Sequence, residues 1–367
     1  MSITVESMKD RLKTLEEAQE FLAITEPLNT FPFSTGDGIR FHLEPGWNHG
    51  IDAMGPMDVI EKAQVRVGED LTTAPDFFLT KDALLEFTSQ CGLPKPYVSK
   101  TPANFIEDQL NYWFRLGMPG KDYKMLVTPD NERVVALTKA TITPFSNLRL
   151  VDEMLGGIAK MYGEGEVLVD YKFQHDLRNT HLRLIVPESV RTLKHTGTDD
   201  DEWSMGIQLK NSLIGAKPTE LNGYLFRWTC TNGAIDTHAA TGAFSRRGSD
   251  NDVYEWARQA VDQVLGGLEG SLGQVQALAH IPIEGQAKQS LADVFQLYKV
   301  PGNLRDKVME IMVETQELTM YAVMQAITAV ANEVDMSFGQ IEMMMRAGGD
   351  LPHRADSRCD TCHRINA

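Results

Sequence analysis

Four cysteines in 367 residues are too few to staple a chain of this length, so its thiols are read as free and its fold as resting on an apolar core. No apolar run approaches the roughly 20 residues that a bilayer-spanning helix needs. The stretch from Met1 to Lys13 mixes charged with apolar residues and has no signal-peptide core. Together these absences set the expectation of a cytoplasmic protein. Also lacking are a G-x-x-x-x-G-K-[ST] phosphate loop, a dinucleotide fingerprint, a G-x-S-x-G elbow and an H-E-x-x-H pair. The glycines at 266, 267, 270 and 273 do not replace them, because they lie in a helical stretch, in the wrong order and after no strand. No repeat of solenoid period is visible. No motif therefore names a reaction.

What is present is ordinary for a globular protein: 42% hydrophobic and 23% charged residues, with length enough for one large domain or two average ones. The formal net charge of −16 argues against a general electrostatic coat for DNA or an anionic membrane. A local basic groove remains compatible with it.

Apolar spacing predicts a helix over residues 5–22 through Val5, Met8, Leu12, Leu15 and Leu22, stopped by Pro27 and Pro32. Residues 30–75 are rich in glycine and proline and read as loops with short strands. A helix over 80–91 opens with Thr80 as N-cap. Thr101-Pro102 opens another, with Phe105, Ile106, Leu110, Trp113 and Phe114 as its apolar face and Gly117 as its stop. Residues 123–128 and 133–138 form a predicted hairpin about Pro129-Asp130-Asn131. Asn147 is read as the cap of a helix ending at Gly163. Strand-like alternation follows at 167–173, with 181–186 as its partner. The acidic run Asp199–Glu202 reads as a solvated loop. After Asp252 the pattern is helical over 253–279, 289–299, 303–334 and 337–346. Methionines crowd these last helices, as core filler or as an oligomer contact.

The expected class is α+β, an antiparallel hairpin sheet with packed helices followed by a helical C-terminal part. The expected division is a mainly helical region with irregular loops (1–120), a β-hairpin-rich core (121–250), a helical region (251–347) and a flexible tail (348–367).

Residues 205–235 are the most informative stretch. Two amphipathic runs flank a turn with Asn211, Ser212 and Gly215, and the second ends Arg227-Trp228-Thr229-Cys230-Thr231-Asn232-Gly233. Asn232 and Gly233 could supply a tight turn or a nest of amides for a phosphate. Upstream, Arg133–Thr138 runs into Pro144-Phe145-Ser146-Asn147 and a helix. In this order the two blocks resemble a phage-, prophage- and plasmid-encoded family, domain of unknown function 932, over about residues 130–250. The chain departs from the family's pattern at Ala140-Thr141, where an aromatic is expected, and at Leu213-Ile214, where an acidic residue often follows the Asn-Ser. The resemblance implies a setting among phage replication, repair and anti-restriction genes. It also implies a fold-level analogy to single-strand annealing proteins that assemble as oligomers.

Cations gather on the same hairpins: Lys172, Arg178, His181 and Arg183 on one, Lys210, Lys217 and Arg227 on the next, Arg246-Arg247 after it. Tyr171, Phe173, Tyr224, Phe226, Trp228 and Phe244 interleave with them. A basic groove with stacking aromatics binds single strands without sequence preference, whereas buried aromatics and solvated edge cations would be structural. Strand parity puts Tyr224, Phe226 and Trp228 on one face and Arg227 on the other. Candidate phosphate contacts for single-stranded DNA are Lys172, Arg178, Arg183, Lys210, Arg227, Arg246 and Arg247. A host-protein partner and a scattered active site with His175, Asp176, His181 and His238 are the other readings. At the tail, His353, Cys359, Cys362 and His363 use zinc-ligand vocabulary and read either as part of a zinc site or as a flexible segment with a thiol pair.

Overall fold

The computed structural model describes residues 13–25, 29–34, 38–48, 51–54, 58–68, 70–117, 122–170, 174–175, 180–194, 201–213, 215, 217–228, 232–240, 244, 250–315, 319–332 and 336–355. The expected α+β class is what these residues form: two largely antiparallel sheets with helices on them and a helical C-terminal part.

The first sheet contains β2 (Asn29–Ser34), β3 (Ile39–Leu43), β4 (Val59–Val67), β5 (Asp76–Thr80), β6 (Asp122–Val127) and β7 (Arg133–Lys139), in the order β2-β6-β7-β5-β4-β3. All its pairs are antiparallel except β5 with β7. Two helices cover it, α2 (Lys81–Gln90) and α4 (Ala103–Tyr112), with the short α3 (Lys95–Val98) between them. Phe41, Phe87 and Phe114 meet at ring distances of 4.9–5.4 Å in its core.

The expectation of a mainly helical region up to residue 120 is corrected by this sheet. Its signal was broken locally: in β4 the buried residues Ile60, Ala63 and Val65 do not keep a period of two, because the register shifts between Ile60 and Gln64. The hairpin β6–β7, grouped by sequence with the later strands, belongs here.

The second sheet runs β1 (Lys13–Thr14), β8 (Leu168–Val169), β10 (Thr180–Ile185), β12 (Glu202–Asn211), β13 (Glu220–Arg227), β14 (Asn232–Ala240). The two-residue strands β9 (Gln174–His175) and β11 (Arg191–Thr192) pair off this path with β10 and β12. One face carries α6 (Asp250–Ala277), on which α5 (Asn147–Tyr162) packs. Glycines set both approaches: a Cβ on Gly223 would lie 2.6 Å from a Leu268 methyl, and one on Gly157 would lie 2.8 Å from Val261. Near its N-terminus, α1 (Leu15–Thr25) also packs on α5. The remaining helices are α7 (Gly285–Leu297), α8 (Gly302–Thr315), α9 (Met320–Val330) and α10 (Phe338–Ala355). The single helix expected over 303–334 is two, α9 starting anew where Thr319 caps it by accepting from the Ala322 amide at 3.2 Å. Met320, Met324, Met344 and Met345 are core residues.

Three local expectations meet the geometry. Thr80 caps α2, accepting from Ala83 N–H at 3.3 Å. Ser146, rather than Asn147, caps α5, accepting from Arg149 N–H at 3.1 Å. Thr101 does not cap α4; its hydroxyl donates to the Tyr97 carbonyl at 2.6 Å.

The segment expected to be a flexible tail from 348 is helical and buried as far as His353, with α10 ending at Ala355. Its glycines are there for contact: a Cβ on Gly349 would lie 2.2 Å from the Ile235 carbonyl oxygen, and one on Gly348 would lie 2.7 Å from Thr328. Residues 356–367, with Cys359, Cys362 and His363, lie outside the described residues.

Candidate functional site

The site is built from consecutive cross-strand rows on the face of the second sheet opposite α6. Register pairs His181 with Lys210 and Lys210 with Glu220, which makes one row. Two residues along each strand, Arg183 pairs with Gln208 and Gln208 with Asn222. Because side chains alternate along a strand, both rows face the same way.

α10 crosses this face with one stripe of residues four apart, and each member meets a different strand. Phe338 packs on the His181 ring, centroid to centroid 4.4 Å. Glu342 ion-pairs with Lys210 and lies 3.8 Å from His181. Arg346 reaches Glu220 at 3.6 Å. Asp350 meets His238 at 2.8 Å. A helix with this spacing presents one face to the sheet, and this one reads β10, β12, β13 and β14 in turn.

At the turn end of β12 and β13, a recess of about 90 Å³ is lined by His181, Lys210, Asn211, Lys217, Pro218 and Glu220. Burial and then the neighbouring cations Lys210, Arg183, Lys217 and Arg346 pull the His181 imidazole down to about 3, so it is neutral. Burial and then Arg346 pull the Lys210 ammonium down towards about 7, while Glu220 acts in the opposite sense. Behind the recess, Arg183 is 1% exposed and bonds the Asp170 carboxylate through Nη1 at 3.2 Å. The same carboxylate oxygen accepts the Tyr224 hydroxyl at 2.6 Å.

The sequence motifs prove to hold this arrangement in place. Asn211 donates to the Phe145 carbonyl (2.9 Å) and to Asn147 Oδ1 (2.8 Å), and accepts from the Thr219 hydroxyl (2.8 Å). It thus ties the hairpin turn to the start of α5. Gly215 closes the turn at φ +70°, its N–H donating to the Ser212 carbonyl. Leu213 in that turn packs with Leu126, Val135 and Ala136 of the first sheet. Asn232 and Gly233 open β14, paired with Arg227 and Phe226, rather than forming the turn. At Gly233 a Cβ would lie 2.0 Å from the Tyr224 hydroxyl, so glycine there admits the ring that reaches Asp170.

Of the seven proposed phosphate contacts, the geometry brings Arg183 and Lys210 together. Arg227 stands apart, paired with Asp201, donating to Gln325 at 2.8 Å and lying under the Tyr321 ring. Asp201, read from sequence as part of a solvated loop, is fully buried and takes both Arg227 and the Tyr321 hydroxyl. Lys172, Arg178, Arg246 and Arg247 lie outside the described residues, as do Tyr171 and Phe173. Tyr224, Phe226 and Trp228 share a face as parity required, but they are core: each is at most 1% exposed.

A second polar network lies at the far end of α10. Between Asp236, paired with Gly223, and Ala240, paired with Asn222, β14 bulges, and Asp236 Oδ1 accepts the amides of His238 (2.8 Å) and Ala239 (3.2 Å). It also contacts His353 Nε2 at 3.0 Å, and the His353 ring stacks on His238 at 4.0 Å. Burial pushes the Asp236 carboxyl up, but these hydrogen bonds outweigh it and hold it below the usual range. The Asp350 hydrogen bond raises His238 above the ordinary imidazole value. His353, a proposed zinc ligand, spends Nε2 on Asp236; among the described residues no group of three or more potential ligands converges for a metal. His238 and His181 sit at opposite ends of α10, His175 is placed only by its backbone, and Asp176 is outside the described residues, so the scattered residues do not converge on one centre.

Sequence reasoning missed Gln208, Asn222, Glu342 and Asp170. The first two stand among apolar neighbours in strands, a signal that could have been weighed; pairing with Glu342 needs the C-terminal helix. A surface groove of about 810 Å³ between residues 45–48 and α4 is elsewhere, and its Glu107 already accepts the Leu43 amide at 2.8 Å.

The fold defines the chain as an α+β protein with a cationic recess at the end of its second sheet. No family model matches it, and neither the curated proteins nor the solved structures give a match. Among the described residues no helix is long and apolar enough to cross a membrane.

Proposed function

We propose that the chain is a phage or prophage DNA-metabolism protein that binds single-stranded nucleic acid in the cytoplasm, holding backbone phosphates at the recess between β10, β12 and β13. The observation that carries this reading is local charge. In a chain of net charge −16, Arg183, Lys210, Lys217 and Arg346 gather against Asp170, Glu220 and Glu342, a formal local excess of one positive charge that the lowered Lys210 ammonium reduces at neutral pH. A recess of about 90 Å³ has room for about three waters or one tetrahedral anion. Lys217 is exposed at its rim, where a phosphate would exchange its counterions for the ammonium. Arg183 and Arg227 contribute no surface contact in this reading, and Arg246-Arg247 remain proposed contacts.

Lys217→Glu tests it. Single-strand affinity at low salt should fall several-fold and the slope of log K against log salt should shrink by about 1, while Lys288→Glu on the exposed side of α7 leaves both unchanged. Equal effects of the two variants would contradict a phosphate contact at the recess.

A second reading, a protein partner such as a host defence or restriction factor, is favoured by one feature of the first sheet's helices. Phe105, Tyr112, Trp113 and Leu116 are 41–58% exposed on α4 and the π-helical turn Trp113–Gly117 that follows it. Sequence spacing had put Phe105 and Trp113 on the buried face; of the five residues assigned to it, Ile106, Leu110 and Phe114 are buried. Such a cluster suits a partner interface. Tyr112→Ser with Trp113→Ser should abolish co-purification of a host protein and leave strand binding intact.

A further inference from the structure

The row behind the recess holds more hydrogen-bonding capacity than the protein uses. Arg183 spends Nη1 on Asp170, while its Nε and Nη2 have no partner among the described residues. Those two atoms form the guanidinium edge that grips a carboxylate or phosphate with two parallel hydrogen bonds. The guanidinium lies over the Tyr224 and Phe338 rings, 5.6 and 5.7 Å from their centroids. Next to it across the sheet, both side-chain polar atoms of Gln208 are buried and unpartnered, and beyond Gln208 so is Asn222 Nδ2. Arg183, Gln208 and Asn222 are 1%, 0% and 5% exposed. Burying such groups without partners is destabilising, most of all for a charge.

The unmet demand is mostly for an acceptor. Arg183 Nε–H and Nη2–H, Gln208 Nε2–H and Asn222 Nδ2–H are donors, and only Gln208 Oε1 is an acceptor. Their row is the next same-face row inward from His181, Lys210 and Glu220, which line the recess.

We infer that this row is a binding site for a small oxyanion, a carboxylate or phosphate group, seated on the Arg183 Nε–Nη2 edge and bracketed by the Gln208 and Asn222 amides. The inference does not rest on nucleic-acid binding. A protonated or carbonyl oxygen of the ligand answers Gln208 through either of its amide atoms, and Asp170 keeps the guanidinium in register from the opposite edge.

The test uses the full chain, titrated separately with inorganic phosphate, acetate and citrate at constant ionic strength against chloride. Thermal midpoint and isothermal heat are both followed. The expected result is a saturable rise in midpoint with at least one oxyanion, the phosphate and carboxylate arms showing which source suits the site. Gln208→Met should fold with a midpoint no lower than the parent, since it removes an amide that has no partner, and should bind about 10-fold more weakly or not at all. Arg183→Lys, which keeps the charge and loses the two-pronged edge, should also lose binding. If Arg183→Lys does not fold, Gln208→Met carries the test alone. No saturable shift with any of the three oxyanions, or the same shift in Gln208→Met, overturns the site. No strand binding by the parent chain, with saturable oxyanion binding present, would leave this site standing and locate the failure in the nucleic-acid reading.

Discussion

Some polar residues of this protein lie inside it, and several behave in ways their type does not suggest. His238 is held above its ordinary value by the Asp350 carboxylate. A raised histidine adds stability that is fully present below the unfolded pKa, about 6.5, and is lost as pH rises through the folded value. His238→Gln should therefore cost about 1 kcal/mol at pH near 5.5 and much less near 8, read from urea midpoints at the two pH values. A pH-independent cost would contradict the pairing. Cys91 is the converse case. Burial pushes its thiol up to about 12, so at neutral pH it is protonated and unreactive. Peptide mapping after brief alkylation of the native protein should find Cys91 unlabelled and labelled only after unfolding.

At the scale of elements, glycines record where two pieces of chain come closest, and they separate into two kinds. On α10, Gly349 sits against the Ile235 carbonyl, and Gly349→Ala should destabilise by more than about 2 kcal/mol, because a buried backbone contact must give way. On α6, Gly266 has open space at its Cβ, and Gly266→Ala should stabilise by about 0.5–1 kcal/mol through helix propensity. Paired thermal melts decide both, and like signs would contradict the packing. The Asn211 latch belongs to this scale too. Asn211→Ala leaves Asn147, Thr219 and the Phe145 carbonyl short of partners and should cost about 2–3 kcal/mol.

Some elements were legible in the sequence because their signals are local. Thr80 announces α2, Asn131 at φ +57° turns the β6–β7 hairpin, and Gly163 at φ +83° ends α5. The alternation of the β12–β13 hairpin correctly put Tyr224, Phe226 and Trp228 on one face. Others were hidden because their cause is distant. Gly348, Gly349 and Pro352 read as the end of order, yet all three lie within α10, and its two glycines let it lie against Thr328 and Ile235. Asp201 read as solvated because its partners, Arg227 and Tyr321, are far along the chain. The candidate site was half visible: Arg183, Lys210 and Asn211 stood out as charge and motif. The acceptors and amides that complete it depend on strand register and on a helix more than 100 residues later.

As a whole, the molecule is two sheets, each with its own apolar core, meeting where Leu213 packs on the first sheet. The hairpin turn that carries Leu213 also forms the rim of the recess through Asn211, Lys217 and Pro218. Anything that grips the rim therefore bears on the junction of the two cores. The overall charge of −16 makes the account sharply testable, since only a local cationic site can draw a polyanion to such a surface. The most direct measurement is the affinity of the purified protein for a labelled single-stranded oligonucleotide across a salt series, with duplex as the control. Binding that prefers the single strand and weakens linearly in log salt is the predicted result. No binding at low salt would contradict it.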